Sequence, residues 1–287
     1  RYSPRNPNSP LYGLIGRNTP ARATLALGAN WLDIKAASDS SAHTPDAADL
    51  DITGDIDIRW HGYMDSWNLA SDLMSKYDTT GNQRSWILRA EANGTLTLFW
   101  SVTGSSTLRE ARSLIAIPAW AGEIALRVTL DVDNGAGGCT ARFYYSGSLD
   151  GTWTQLGPDV VAATTTSIFN STAQLRLGKA PTSSANWPAQ RVYGWELRAG
   201  IAGAIRSGAR GVNLVQTGST FTDTQGHVWT LAGDAEVTNR HTIAVGEVAE
   251  WPVEWNRKGA PSVLTQVQAS GVTRRLGQGQ QPVQSPI

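Results

Sequence analysis

Hydrolysis of a glycosidic bond by protein groups needs two carboxylates side by side, one of them able to hold a proton and release it. The sequence has eight glutamates, and its best-spaced set, Glu247, Glu250 and Glu254, surrounds Trp251-Pro252 near the C-terminal end instead of alternating along one strand. Asp55 and Asp57 in GDIDIRW share a strand face, where exposure to solvent is the simpler reading. Ser146-Gly147-Ser148 reads as a β-turn, without the strand-turn-helix setting that exposes a catalytic serine. Cys139 is the single cysteine, so no internal disulfide forms, and it follows a glycine turn with no histidine partner in view. His43, His61, His227 and His241 lack metal-ligand spacing. Catalysis is therefore not expected. Stacking remains: an aromatic ring can lie on the face of a pyranose. Trp67 in MDSWN and Trp187 in SANWPAQ are the tryptophans in loops and the candidate carbohydrate contacts, with burial beneath their loops as the alternative.

The segments that would carry these groups read as β. In LDITGDIDIRW, Ile56, Ile58 and Trp60 fall on one face and Asp55, Asp57 and Arg59 on the other, the period of a half-buried antiparallel strand. RSWILRAEANGTLTLFWSV is a hairpin turning at Asn93-Gly94. In EIALRVTLDVDNGAGGCTARFYYS, Leu126, Val128, Leu130 and Val132 alternate with polar residues before a turn at 133–138. SLDGTWTQLG is a turn with a short strand, SIFNSTAQLRLGK and RVYGWELRAGIAGAI read as strands, and STFTDTQGHVWTLAGDAEV is a hairpin turning at Gln225-Gly226. Two stretches read otherwise: SDSSAHTPDAAD as a polar loop, and 65–75 as a broken loop or short helix. About a dozen short strands, with no βαβ alternation, predict an all-β, two-sheet antiparallel jelly-roll sandwich over residues 23–239. Trp60, Trp86, Trp100, Trp195 and Trp229 lie in strand patterns and are expected in its core.

The bulk numbers agree. The 287 residues are 40% hydrophobic and only 17% charged, with 29 glycines and 12 tryptophans, a mixture that favours strands and turns. No apolar run is long enough to span a bilayer. Formal net charge is zero: residues 1–22 carry +4 and residues 251–287 carry +3, which leaves −7 between them. That balance predicts no nucleic-acid partner. Residues 1–22, with four prolines, predict an extended arm whose Leu11, Tyr12, Leu14 and Ile15 need a surface to lie on. Residues 240–287 predict a C-terminal anchoring segment with a partial β element, an alternating run at 263–269. A chain that begins at Arg1 is expected to be a piece of something longer.

The runs LDITGDIDIRW, LMSKYDTTGNQRSWIL, RVTLDVDNGAGG, SGSLDGTWTQLG and FTDTQGHVWTL together resemble the laminin-G-like (concanavalin A-like lectin/glucanase) modules of minor tail proteins from actinobacterial phages and prophages. The resemblance covers about residues 23–239, and the flanking stretches look like those that bracket such a module in tail-tip hub proteins. It implies a virion structural protein of the phage tail whose partners are other tail subunits, in a homotrimer, with host-surface glycan as a possible ligand. No cofactor is expected beyond the calcium that such modules often bind at a sandwich rim. The acidic turn of Asp131, Asp133 and Asn134 is then the candidate metal site. Glucanases of the superfamily carry Glu-x-Asp-x-x-Glu on one strand, and this sequence lacks it. SLDGTW resembles the aspartate box of β-propeller sialidases, a turn-stabilising element in which Asp150 would accept turn N–H groups above Trp153.

Overall fold

The computed structural model describes residues 20–36, 40–118, 123–180, 187–250 and 268–270, with backbone alone at 20–27, 240–250 and 268–270. They belong to two compact units, one of Ala29–Thr238 and one of Arg1–Gly28 with Asn239–Ile287.

In chain order the strands are β1 (Pro20–Ile34), β2 (Ser41–Thr44), β3 (Ile56–Met64), β4 (Ser71–Asp78), β5 (Gln83–Ala90), β6 (Leu96–Trp100), β7 (Arg109–Arg112), β8 (Ile124–Asp131) and β9 (Cys139–Ser146). They continue as β10 (Thr154–Gln155), β11 (Val160–Ala162), β12 (Leu175–Gly178), β13 (Gln190–Ala199), β14 (Ala204–Arg210), β15 (Thr220–Thr222), β16 (Val228–Ala232), β17 (Glu236–Glu250) and β18 (Gln268–Ser270). Among the described residues the only helical pieces are three short 3-10 turns. Within Ala29–Thr238 the first sheet runs β10-β9-β8-β3-β13, with β11 also on β9, and β14 and β1 sharing the far edge of β13. The second runs β15-β16-β2-β12-β4-β5-β6-β7. Each of these pairings is antiparallel, and the architecture is the two-sheet sandwich that the alternation predicts.

Register explains the core. Ile56, Ile58 and Trp60 stand opposite Leu130, Val128 and Leu126 on one sheet. On the other, Trp86 stands opposite Trp100, and Leu88 opposite Leu98. All ten side chains are buried in one hydrophobic cluster with Trp195 and Trp229, and each aliphatic one contributes about 1.5–3 kcal/mol. Phe221, Trp195 and Trp229 meet edge to face or stacked at 5.1–6.0 Å between ring centres, which fastens the β15–β16 hairpin to the interior.

Three expectations change. The polar stretch expected as a loop contains β2, because β12 and β16 supply partners for its backbone on both sides. The stretch at 65–75 runs into β4, where a register shift between Asp72 and Met74 leaves Leu73 and Met74 both buried and breaks the period-two signature. RVYGWELRAGIAGAI is two strands, β13 and the start of β14, joined by a turn at 200–203.

In the second unit β17 pairs antiparallel with β18, a β element beyond the sandwich as the sequence predicts. The expected arm of residues 1–22 lies outside the described residues except for 20–22, which begin β1. The anchoring segment from 240 onward is described only through the backbones of β17 and β18.

Candidate functional site

A sandwich of two sheets has two outer faces, and here they differ in how their polar groups are used. On the first sheet, Asp57 and Arg59 of β3, Arg127 of β8, and Glu196 and Arg198 of β13 point away from the core. Arg59 donates to Asp57 from Nε (3.1 Å) and Nη2 (2.9 Å), and Arg127 does the same at 2.9 Å each. The Ala202 N–H adds a fifth bond to Asp57 at 3.0 Å. Glu196 accepts from Arg59 Nη1 (3.3 Å), Arg198 Nε (2.8 Å) and Arg210 Nη2 (2.6 Å). Asp57 is 0% exposed, so solvent does not account for it, contrary to the sequence reading. Burial disfavours its charge, but the hydrogen bonds and charges of Arg59 and Arg127 outweigh that and hold the carboxyl below the usual carboxylate range.

The SLDGTW turn covers part of this face. A side chain at Gly194 would meet Leu149 at 3.0 Å, so the missing Cβ admits that buried leucine. Trp153 stacks with the Arg59 guanidinium at 5.8 Å, and Asp150 pairs with Arg210 at 2.8 Å. Asp150 therefore holds a strand arginine, whereas the sequence reading had it accepting turn N–H groups. The turn is instead closed by the Gly151 N–H to the Ser148 carbonyl at 3.2 Å.

The outer face of the second sheet leaves polar groups unused. Register lines up Thr230, His43, Arg176, Ser75, Ile87, Phe99 and Glu110 across seven strands. Beside that row lie Asp72, Arg89, Thr97 and Arg112. His43 Nδ1, Ser75 Oγ, Thr97 Oγ1 and Arg176 Nε are all shielded from solvent without a hydrogen-bond partner. An orphaned buried polar atom costs roughly 1–3 kcal/mol, so four on one face ask for a function. Strands are spaced at about 4.8 Å, which puts His43 and Ser75 roughly 10 Å apart with Arg176 between them. Burial and the neighbouring Arg176 lower the His43 pKa. The ring is then neutral at pH 7, with one nitrogen a donor and the other an acceptor. Arg89 donates from Nε to Asp72 at 2.7 Å, and its guanidinium lies 5.4 Å from the ring centre of Phe99 and 5.5 Å from that of Trp187.

Of the two loop tryptophans, Trp187 is 7% exposed and packs on Arg89, with its Nε1 also shielded and unpartnered. Its ring is mostly covered, as in the burial alternative given for it. Trp67 is partly buried against the core cluster, and its loop leaves β3 beside the one that carries Trp187, the Asp65 N–H donating to the Ala189 carbonyl at 3.0 Å. Of the residues now assembled, His43 was weighed from the sequence only for a metal spacing it lacks, and Ser75, Phe99, Thr97 and Arg176 were not singled out, because each gains meaning only from its neighbours on other strands.

The acidic turn is built as a turn. Asn134 Oδ1 accepts from the Ala136 (3.0 Å) and Gly138 (3.1 Å) N–H groups, its Nδ2 donates to Thr140 Oγ1 (3.1 Å), and Asp133 Oδ1 accepts from the Gly135 N–H (3.2 Å). Asp131 ends β8 opposite Thr140. Asn134 Oδ1 and one oxygen of Asp133 are thus engaged by their own loop. No group of three or more His, Cys, Asp or Glu side chains that could hold a metal ion occurs among the described residues.

FTDTQGHVWTL also has a structural role. Asp223 Oδ1 accepts from the Gln225 (3.0 Å) and His227 (2.9 Å) N–H groups. Its Oδ2 takes Ser207 Oγ (2.7 Å), Trp229 Nε1 (3.2 Å) and His227 Nδ1 (3.0 Å). His227 Nε2 reaches Asp49 at 3.2 Å.

No protein-family model and no curated protein matches the sequence. Among solved structures the chain is similar to the CBM40 of a Ruminococcus gnavus IT-sialidase bound to α2,3-sialyllactose, at 14% identity and a TM-score of 0.36, covering 62% of this chain and 92% of that one. It is similar to a native heptameric SAP-like pentraxin from Limulus polyphemus, at 10% identity and a TM-score of 0.45, covering 73% and 94%. The binding domain of botulinum neurotoxin DC in complex with SialylT gives 9% identity and a TM-score of 0.41, covering 63% and 42%. Likeness at this level says nothing of which residues bind, and the functional reading rests on the side chains.

Proposed function

We propose that Ala29–Thr238 is a non-catalytic glycan-binding module whose contact surface is the outer face of the second sheet. The observation that carries this is the set of four shielded, unpartnered polar atoms on His43, Ser75, Thr97 and Arg176, in the same row of strands as the Phe99 ring. The set mixes donors with groups that both donate and accept, and sugar hydroxyls can answer both. The first sheet supports the contrast, since its arginines and the carboxylates of Asp57 and Glu196 are spent on one another and His61 Nε2 is the atom beside them without a hydrogen bond. Asp57 and Glu196, which share Arg59, supply no acid/base pair: a general acid must carry a proton near neutral pH, and Asp57 is held ionised. The test is binding of the full chain to an array of bacterial surface and animal glycans, with His43→Ala and Phe99→Ala beside wild type. Wild type should retain glycans that both variants lose, without releasing new reducing ends. Absence of any bound glycan, or binding indifferent to both substitutions, sinks the proposal.

The setting we propose for the module is a phage tail tip, where the two ends of the chain engage neighbouring subunits in a threefold assembly. The sequence resemblance and the two basic ends support it. Native mass spectrometry of the full chain should find trimers, and a strictly monomeric chain at micromolar concentration counts against this setting.

A further inference from the structure

We infer that the glycan is acidic and that Arg176, at the middle of the second sheet's outer face, grips its anionic group. The inference rests on the glycan-binding reading above and specifies its ligand. Arg176 donates from Nη1 to Ser41 Oγ at 2.9 Å and from Nη2 to Gln174 Oε1 at 3.0 Å, while Nε is buried and unpartnered. Both partners are neutral. The other shielded arginines on the two outer faces are treated differently: Arg59 and Arg127 hold Asp57, Arg198 and Arg210 hold Glu196, and Arg89 holds Asp72. Arg176 alone among these six has lost solvent without gaining a carboxylate. Burial accordingly lowers its pKa, and Asp78, the one acid acting on it, only partly offsets this.

A guanidinium has five N–H donors in a rigid fork, and two are engaged here. The free Nε edge matches an oxyanion bound in parallel, whether carboxylate or phosphate. A second feature points to the same place. Ser75 stands next to Arg176 in register, is fully buried, and has an unpartnered Oγ. On the other side His43 offers an unpartnered Nδ1. Reaching Arg176 Nε, Ser75 Oγ and His43 Nδ1, all three shielded in the free protein, requires the side chains over them to shift. An anionic sugar that moves them would neutralise the buried cation and satisfy three orphaned atoms together. Glu110, at the far end of the row, is four strands from Arg176 and leaves that charge unmatched.

The experiment is calorimetric titration of the full chain with matched oligosaccharides: a neutral parent, its uronate-bearing form and its phosphate-bearing form. One or both acidic forms should bind at least tenfold more tightly than the parent, and which one does so identifies the anion. Arg176→Gln should cost the acidic ligand roughly ten- to hundredfold, as loss of a charged hydrogen bond does, while barely changing the neutral one. Arg176→Lys should recover part of the loss. If the variants fold poorly, the Arg176 Nε–H resonance of wild type gives the same answer by shifting on addition of the acidic form. Equal affinity for neutral and acidic forms, or an Arg176 resonance that ignores the ligand, overturns the inference while leaving glycan binding intact. If no member of the panel binds at all, the underlying glycan-binding reading fails instead.

Discussion

Asp57 on β3 and Arg127 on β8 meet through two parallel hydrogen bonds, Nε to Oδ1 and Nη2 to Oδ2, both 2.9 Å, on a face that a sequence period would assign to water. Arg59 grips the same carboxylate from its own strand. Asp57→Ala would leave the poorly solvated Arg127 without its counterion and Arg59 with Glu196 alone, a loss of about 3–5 kcal/mol, seen as a lower urea midpoint. Because the folded-state pKa of Asp57 is depressed, its stabilisation is fully present above the unfolded carboxylate value of about 4 and fades as pH falls through the lower folded value. The stability gap between wild type and Asp57→Asn should therefore close only in acid. A gap independent of pH down to about 2 would show that charge is not what Asp57 contributes.

His227 gives the opposite sign. Burial works against its charge, but hydrogen bonds and charges from Asp49 and Asp223 prevail, and its pKa is raised. Its stabilisation is complete below the unfolded value of about 6.5 and is lost as pH rises through the folded value. His43 and His61, whose pKa values are lowered by burial, bend the profile the other way, so the measurement is the difference between wild type and His227→Gln. That difference should shrink on going from about pH 6 to pH 9 in thermal unfolding. A difference that grows over the same range would contradict the Asp49–His227–Asp223 bridge.

Chelation should leave the module unchanged. Asn134 already joins both sides of its turn through three side-chain hydrogen bonds, and Asp133 supplies a fourth within the loop. EDTA is expected to shift neither the melting temperature nor glycan affinity, whereas Asn134→Ala should cost about 1–3 kcal/mol by releasing those bonds. A melting temperature that falls with EDTA and recovers with calcium would support Asp131, Asp133 and Asn134 as a metal site.

Much of the sandwich was legible because alternation is a local property. Ile56, Ile58 and Trp60, or Leu126, Val128 and Leu130, announce a buried face whatever they pair with, and Asn93-Gly94 and Gln225-Gly226 announce turns. Where the pattern failed, tertiary pairing had replaced it. β2 is four residues, SAHT, with no apolar stripe, and it is a strand because β12 and β16 flank it. The tryptophans in loops were the reasonable candidates for sugar contact, yet Trp187 spends its ring on Arg89.

The sequence by itself determined an all-β chain, its main hairpins, most of its buried tryptophans and the want of paired catalytic glutamates, since these depend on residues near one another along the chain. Only the tertiary structure decided which charges are matched. Asp57 and Arg59 lie two residues apart, but Arg127 and Ala202, which complete that group, lie 70 and 145 residues from Asp57. Arg176 and Asp57 look alike in sequence, a charged residue between two apolar ones. Folding surrounds Asp57 with cations and gives Arg176 only neutral partners. The energy of a buried charge is set by the groups within a few ångströms of it, and the chain brings those from distant strands.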